Sequence, residues 1–239
     1  VYSSRESSSA STDCKREIEA FIADGYEAEL EKHSEIWQGF WNSSDIKIQG
    51  NEEAQKALRF NIFHLSSCAY DKDPTVSIGA KGLHGEGYKG HVFWDTEIFM
   101  LPFFIYTQPQ VAKALLMYRY NTLDGARRNA FMNGFSGAQY AWESADDGLE
   151  TTPKWGYDYN NKPVRIWTGE IEVHISSDIV FSIFEYYRAT EDKDFMFKYG
   201  SEIIFEVCRF WTGRAVYNKN KDIWEINSVI GPDEFHEHV

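Results

Sequence analysis

The last eleven residues, 229–239, set two adjacent carboxylates, Asp233 and Glu234, directly after Gly231-Pro232. A Gly-Pro step interrupts regular structure. An acidic pair on a rigid turn, followed by Phe235, His236 and His238, is what a general-acid site can look like. The same residues also suit an ordinary helix start, with proline early and acids near the positive helix end.

A second dense stretch is Gly82-Leu83-His84-Gly85-Glu86-Gly87-Tyr88-Lys89-Gly90-His91-Val92-Phe93-Trp94-Asp95-Thr96-Glu97. Its glycines allow backbone to approach a ligand closely. It does not match the phosphate-cradling GxxxxGK[ST] pattern, and its flanks read as helices. Within it, Trp94 offers an indole face on which a sugar ring can stack, and Asp95 a carboxylate able to accept from two neighbouring hydroxyls. The structural alternative is a core Trp94 and an Asp95 that caps a helix starting near Thr96.

Trp142-Glu143, at another helix-to-loop junction, repeats the indole-acid pairing. His174 has Glu170 and Glu172 close by and Asp178 one helical turn on. Trp-acid pairs and a Gly-Pro-acid turn, all at loop ends between amphipathic helices, suit a glycosidic site, where a proton donor must face the leaving oxygen. Metal binding is the rival for His236-Glu237-His238 and for His84 with His91. Neither spacing is HExxH and no cysteine is near, so no metal is expected.

The wider sequence sets the frame for these residues. Net charge is -13, from 37 acids against 24 Lys and Arg, which argues against nucleic acid or an anionic membrane as partner. Aromatics make up 16%, enough to fill a core and still leave rings for a carbohydrate cleft. Cys14, Cys68 and Cys208 are far apart, giving neither a disulfide framework nor a CxxC metal pattern; a reducing, cytoplasmic setting is expected. No run of eighteen apolar residues and no signal-peptide pattern is visible. The chain starts at Val1 and stops within the acidic motif, which suggests a fragment of a longer protein.

Helical periodicity runs from Asp13, a candidate cap, through Trp41 with a break near Gly25. It resumes over about Glu52–Tyr70, Thr96–Phe104, Val111–Tyr118 and Ala126–Met132, then through Ile175–Tyr187 and Phe195–Trp211. Residues 142–169 read as a long loop with room for short strands, of the kind that is usually functional or disordered. Ala215-Val216-Tyr217 and Ile223–Ile226 flank a turn-rich 218–221 and read as a hairpin. Helices paired around an axis, with the site at the loop ends, fit this layout; so does a plain helical bundle.

With these residues in view, the sequence resembles glycoside hydrolase family 65, which includes inverting α-glucosyl disaccharide phosphorylases and related trehalose hydrolases. The likeness rests on GLHGEGYKGHVFWDTE at 82–97, YRYNTLDGARRNA at 118–130, GAQYAWES at 137–144, HISSDI at 174–179 and GPDEFHEHV at 231–239. It implies an all-α fold, an incomplete (α/α)6 barrel with long loops and short β-hairpins. Residues 1–50 are then the end of an upstream β-sandwich and a helical linker, and 51–239 the N-terminal part of the barrel. About six helical stretches are visible where such a barrel has twelve.

The resemblance carries the general-acid role to Glu234 and the glucosyl subsite to Trp94 and Asp95, with Trp142 and Glu143 as further sugar contacts. It implies phosphorolysis of an α-linked glucosyl disaccharide to β-glucose 1-phosphate and a free sugar. Inorganic phosphate is the co-substrate and no cofactor is implied. The family's phosphate-holding loop and its Lys-Gln motif would lie past Val239, so the 239 residues alone are expected to be inactive. A trehalase-type hydrolase and a non-catalytic carbohydrate-binding fragment are the alternatives, and a homodimer is an open option for the full-length protein.

Overall fold

The computed structural model describes residue 4 and residues 7–234, and the chain divides into two compact units, residues 1–55 and 56–239. In the first, α1 (Ala10–Asp24) and α2 (Tyr26–Ser44) are joined at Gly25, whose φ of 83° is left-handed. A glycine takes that conformation without the Cβ clash other residues meet, which explains the break in periodicity. Asp13, a candidate cap, lies in the first turn of α1, while Ser9 holds the cap position. Along α2, the Trp37, Phe40 and Trp41 rings stack edge to face. α3 (Glu52–Ser67) begins in the first unit and continues into the second.

The second unit is mostly helical. A π-helical turn at Thr96–Met100 leads into α4 (Leu101–Thr107), and α5 (Pro109–Asn121) follows with proline in its first turn, where a missing N–H costs nothing. Next come α6 (Leu123–Met132), the strands β1 (Trp155–Tyr157) and β2 (Pro163–Arg165), and α7 (Thr168–Ile171). They are followed by α8 (Ile175–Thr190) and the single-turn α9 (Lys193–Phe195). A second π turn at Met196–Gly200 then runs into α10 (Ser201–Arg214). β3 (Val216–Asn218) and β4 (Ile223–Glu225) form the expected antiparallel hairpin. β1 and β2 form another inside the long loop, in the register Trp155–Arg165.

The core lies where α4, α5 and α8 meet, with α10 packed on α8. Phe104, Leu116, Ile175, Ile179, Ile183, Phe195 and Ile203 are fully buried there. These positions follow helical spacing, so one face of each helix leaves water, and each such side chain contributes about 2 kcal/mol of burial. Many aromatic side chains remain outside, including Phe131, Phe181, Phe197 and Phe205 on α6, α8, the second π turn and α10. Among the described residues no helix is long and apolar enough to cross a membrane.

Close backbone packing fixes the loop after α6. A Cβ on Gly125 would lie 2.1 Å from the Asp147 carbonyl oxygen, far inside contact distance. Only glycine lets the 142–150 loop seat this tightly on the helix.

Candidate active site

The 82–95 loop and the 142–150 loop are stitched together by paired backbone bonds, with Val92 and Ser144 each donating to the other's carbonyl at 2.9 Å. This two-bond antiparallel bridge sets the two indole-acid motifs side by side. Tyr118 on α5 supports it, its hydroxyl donating to the Ala145 carbonyl at 2.5 Å and lying 2.8 Å from Ser144 Oγ.

Trp94, Asp95, Trp142, Glu143 and Glu234 all line one cleft of about 510 Å³. Lys81, Lys89, Phe93, Thr151 and Thr168 complete much of its wall. A volume of this size falls in the range that holds small ligands. Its walls combine ring faces, carboxylates and lysines, which suits a polar ligand with hydroxyls. Glu234 sits in the turn closed by its own N–H donating to the Gly231 carbonyl at 3.0 Å, with φ at 59°. Non-glycine residues in that region carry strain on the order of 1 kcal/mol and concentrate at functional positions. Pro232, Asp233 and Glu234 thus form a turn. His236 and His238 lie outside the described residues.

Asp95 occupies the cap position but does not cap through its side chain. It precedes the π turn with helical backbone angles and makes no side-chain cap bond. Its carboxyl is instead turned to the cleft, where burial pushes its pKa up and Lys81 pulls it back. Glu143 pairs with His91, Oε1 to Nδ1 at 2.6 Å.

His84 and His91 find different partners. His84 meets His64 on α3 at 2.7 Å, and His91 meets Glu143. Among the described residues no group of three or more metal-ligating side chains is placed to hold an ion.

Three supporting acids and one arginine were not singled out by sequence reasoning. Glu150 accepts from the Trp142 and Glu143 backbone N–H groups at 2.7 and 3.2 Å, and from both the N–H and the hydroxyl of Thr152. Burial raises its pKa while these bonds lower it, so the carboxylate acts as the peg on which the Trp142-Glu143 loop hangs. Glu97 and Arg119 form a fully buried fork: Arg119 Nε and Nη2 donate to the two Glu97 oxygens at 2.7 and 2.8 Å, and Nη2 also donates to the Phe93 carbonyl at 2.9 Å. That last bond fixes the peptide preceding Trp94. Buried charges need partners of this quality, but in a sequence Arg119 reads as an ordinary helix residue between two tyrosines. Glu172, noted only as a neighbour of His174, is 1% exposed and leaves Oε2 without a hydrogen-bond partner among the described residues.

Comparison with known proteins places this geometry in context. Residues 59–239 match the profile of the glycosyl hydrolase family 65 central catalytic domain. A kojibiose phosphorylase of Thermoanaerobacter brockii is 64% identical over 225 residues, which is 94% of this chain and 29% of that protein. A nigerose phosphorylase of Lachnoclostridium phytofermentans is 43% identical over 90% of this chain and 29% of its own length. Among solved structures, a candidate kojibiose phosphorylase from the human microbiome superposes with a TM-score of 0.84 at 32% identity, covering 99% of this chain and 29% of that one. The chain thus spans less than a third of the length of the relatives it matches.

Proposed function

Because the chain belongs to glycosyl hydrolase family 65, we propose that the whole protein is an inverting phosphorylase of an α-glucosyl disaccharide, with kojibiose as the first substrate to test. The observation that carries this reading is the convergence of Glu234 with Trp94, Asp95, Trp142 and Glu143 on one cleft. The 64% identity to a kojibiose phosphorylase supports the choice of sugar.

In this reading the indoles stack on the sugar rings while Asp95 and Glu143 accept from hydroxyls. Glu234 donates its proton to the glycosidic oxygen as the bond from that oxygen to the anomeric carbon breaks. A phosphate oxygen forms the new bond to the anomeric carbon from the opposite face, inverting it. Phosphate stands in for the water and base of an inverting hydrolase, so one catalytic carboxyl is enough. The products are β-glucose 1-phosphate and a free sugar, and the carboxylate left on Glu234 is reprotonated before the next cycle.

For the fold, we read the second unit as part of an (α/α)6 barrel. The exposed aromatic faces of α6, α8 and α10 are the surfaces that further barrel helices would cover, since patches of this kind rarely stay open to water.

The test is turnover by the whole protein with and without phosphate. Glucose 1-phosphate is expected only when phosphate is present, and Glu234→Gln is expected to lower kcat by about 10²–10⁴-fold, the usual worth of a positioned general acid. Equal sugar release in phosphate-free buffer would move the assignment to a hydrolase. Unimpaired turnover by the Gln variant would remove Glu234 from the acid role.

A further inference from the structure

His174 takes no direct part in the chemistry above, yet it touches both indole walls of the cleft. Its ring meets Trp94 at a centroid distance of 4.7 Å and Trp142 at 5.4 Å, with interplanar angles of 82° and 72°. Both are edge-to-face contacts, the arrangement that aromatic quadrupoles favour. Each ring nitrogen is turned to an acid: Nδ1 lies 2.6 Å from Asp178 on α8, and Nε2 lies 3.4 Å from Glu172.

Glu172 in turn belongs to the segment that meets the Glu234 turn. The Ile230 N–H donates to the Ile171 carbonyl at 3.1 Å, and Val229 packs against the small buried cluster of Ala130, Val173 and Phe210. The charges of Glu234 and Asp233 reach the Glu172 carboxyl, whose pKa is raised by burial first, lowered by His174, and raised again by those two acids. One imidazole therefore stands between the acid-bearing turn and the two rings on which a sugar would lie.

We propose that His174, held between Asp178 and Glu172, is the positioning residue that fixes Trp94 and Trp142 as the walls of the sugar site and links their placement to the turn bearing Glu234. The inference rests on the reading of this cleft as a glucosyl site. A neutral amide or a missing ring at this position would leave the indoles without their edge-on partner and the buried Glu172 without its cation.

The charge itself is set by opposing effects. Burial disfavours the imidazolium, and the bonds to Asp178 and Glu172 outweigh it, so the His174 pKa is pushed up to about 9. The other charged groups around the cleft are Lys81, Lys89, Asp95, Glu234 and Glu143, the last paired with His91, and the charge of Asp233 also reaches Glu172.

Two measurements on the whole protein test this: tryptophan fluorescence across the alkaline range without substrate, and kcat and KM for kojibiose over the same range. The wild type is expected to show a fluorescence transition with a midpoint near 9, and KM is expected to rise about tenfold across it as the two indole walls lose their fixed placement. His174→Gln should abolish the transition and, by removing the edge-to-face partner of both indoles, raise KM about tenfold at neutral pH, with kcat reduced less than KM is raised. Asp178→Asn should move the midpoint to lower pH.

A folded His174→Gln protein that keeps the transition, or that keeps the wild-type KM, overturns the proposal. Should that variant fail to fold, an unmoved midpoint in Asp178→Asn overturns it instead. The fluorescence arm needs no turnover, which separates the two readings. An active Glu234→Gln enzyme refutes the acid assignment alone, whereas an inactive one alongside a persistent transition in His174→Gln refutes only this role of His174.

Discussion

Arg119 and His174 both support Trp94, Arg119 through the peptide before it and His174 through its ring. Arg119 has no exposed side-chain surface and its Glu97 partner 1%, and the guanidinium reaches the Phe93 carbonyl as well as both carboxylate oxygens. His174 keeps 18% of its side chain exposed, and its Asp178 partner keeps 19%. Burial opposes the Arg119 charge, but Glu97 outweighs it and the pKa is raised still further, so this cation is permanent in the working pH range. The His174 charge is conditional. The backbone of the cleft is thus held by a clamp that pH cannot open, and the facing of its rings by one that pH can.

Breaking the permanent clamp should have the largest effect. Arg119→Met leaves Glu97 buried without its cation and the Phe93 carbonyl without a donor. Removal of one member of a buried pair costs about 3–5 kcal/mol, so a large drop in unfolding midpoint is expected in calorimetry. Restoring stability with the double change Arg119→Met, Glu97→Leu would show that the pair serves placement more than net stability. A single variant as stable as wild type would mean that water reaches Glu97.

The conditional clamp should show itself as a dependence on pH. The folded-state pKa of His174, about 9, lies above its ordinary value of 6.5. Its contribution is therefore complete below about 6.5 and is lost as pH rises through about 9. Its size is about 2 kcal/mol after allowance for partial solvent screening. The unfolding midpoint should fall across this window in the wild type and fall less in His174→Gln. The same slope in both proteins would assign the titration to another group.

The two clamps also differ in how far they could be read from sequence. The indole-acid pairs and the Gly-Pro-acid turn stand out because their residue types are rare together, and the structure gathers all five of the singled-out residues at one cleft. Most helices were visible as well, since their buried residues keep strict spacing, as in Ile175, Ile179 and Ile183. The π turns before α4 and α10 were not, because an extra residue per turn leaves no mark in a short apolar run. Asp95 was legible both as a helix cap and as a cleft residue, and it holds the cap position while lining the cleft. Arg119 could not be recognised either, because a buried cation is identified by a partner 22 residues away on another element. His174 was noticed for its acidic neighbours, but its contacts with two tryptophans arise only when three loops converge.

Tyr140 gives the smallest and sharpest contrast. It is buried, and its hydroxyl donates to the Arg119 carbonyl at 2.8 Å, while its own N–H donates to Ser176 Oγ on α8 at 3.0 Å. It therefore belongs to the permanent clamp but holds the backbone of Arg119, not the guanidinium. Burial raises its phenol pKa far above the ordinary value of 10, so it stays neutral throughout the range in which His174 titrates. Tyr140→Phe removes one neutral hydrogen bond and keeps the ring, which should cost about 1 kcal/mol. That loss should be the same at pH 6.5 as at pH 9, the two ends of the His174 window, when unfolding midpoints of variant and wild type are compared. A loss that grows or shrinks between the two pH values would mean that the two clamps are coupled through α8, and that the backbone of the cleft is not independent of the charge that orients its rings.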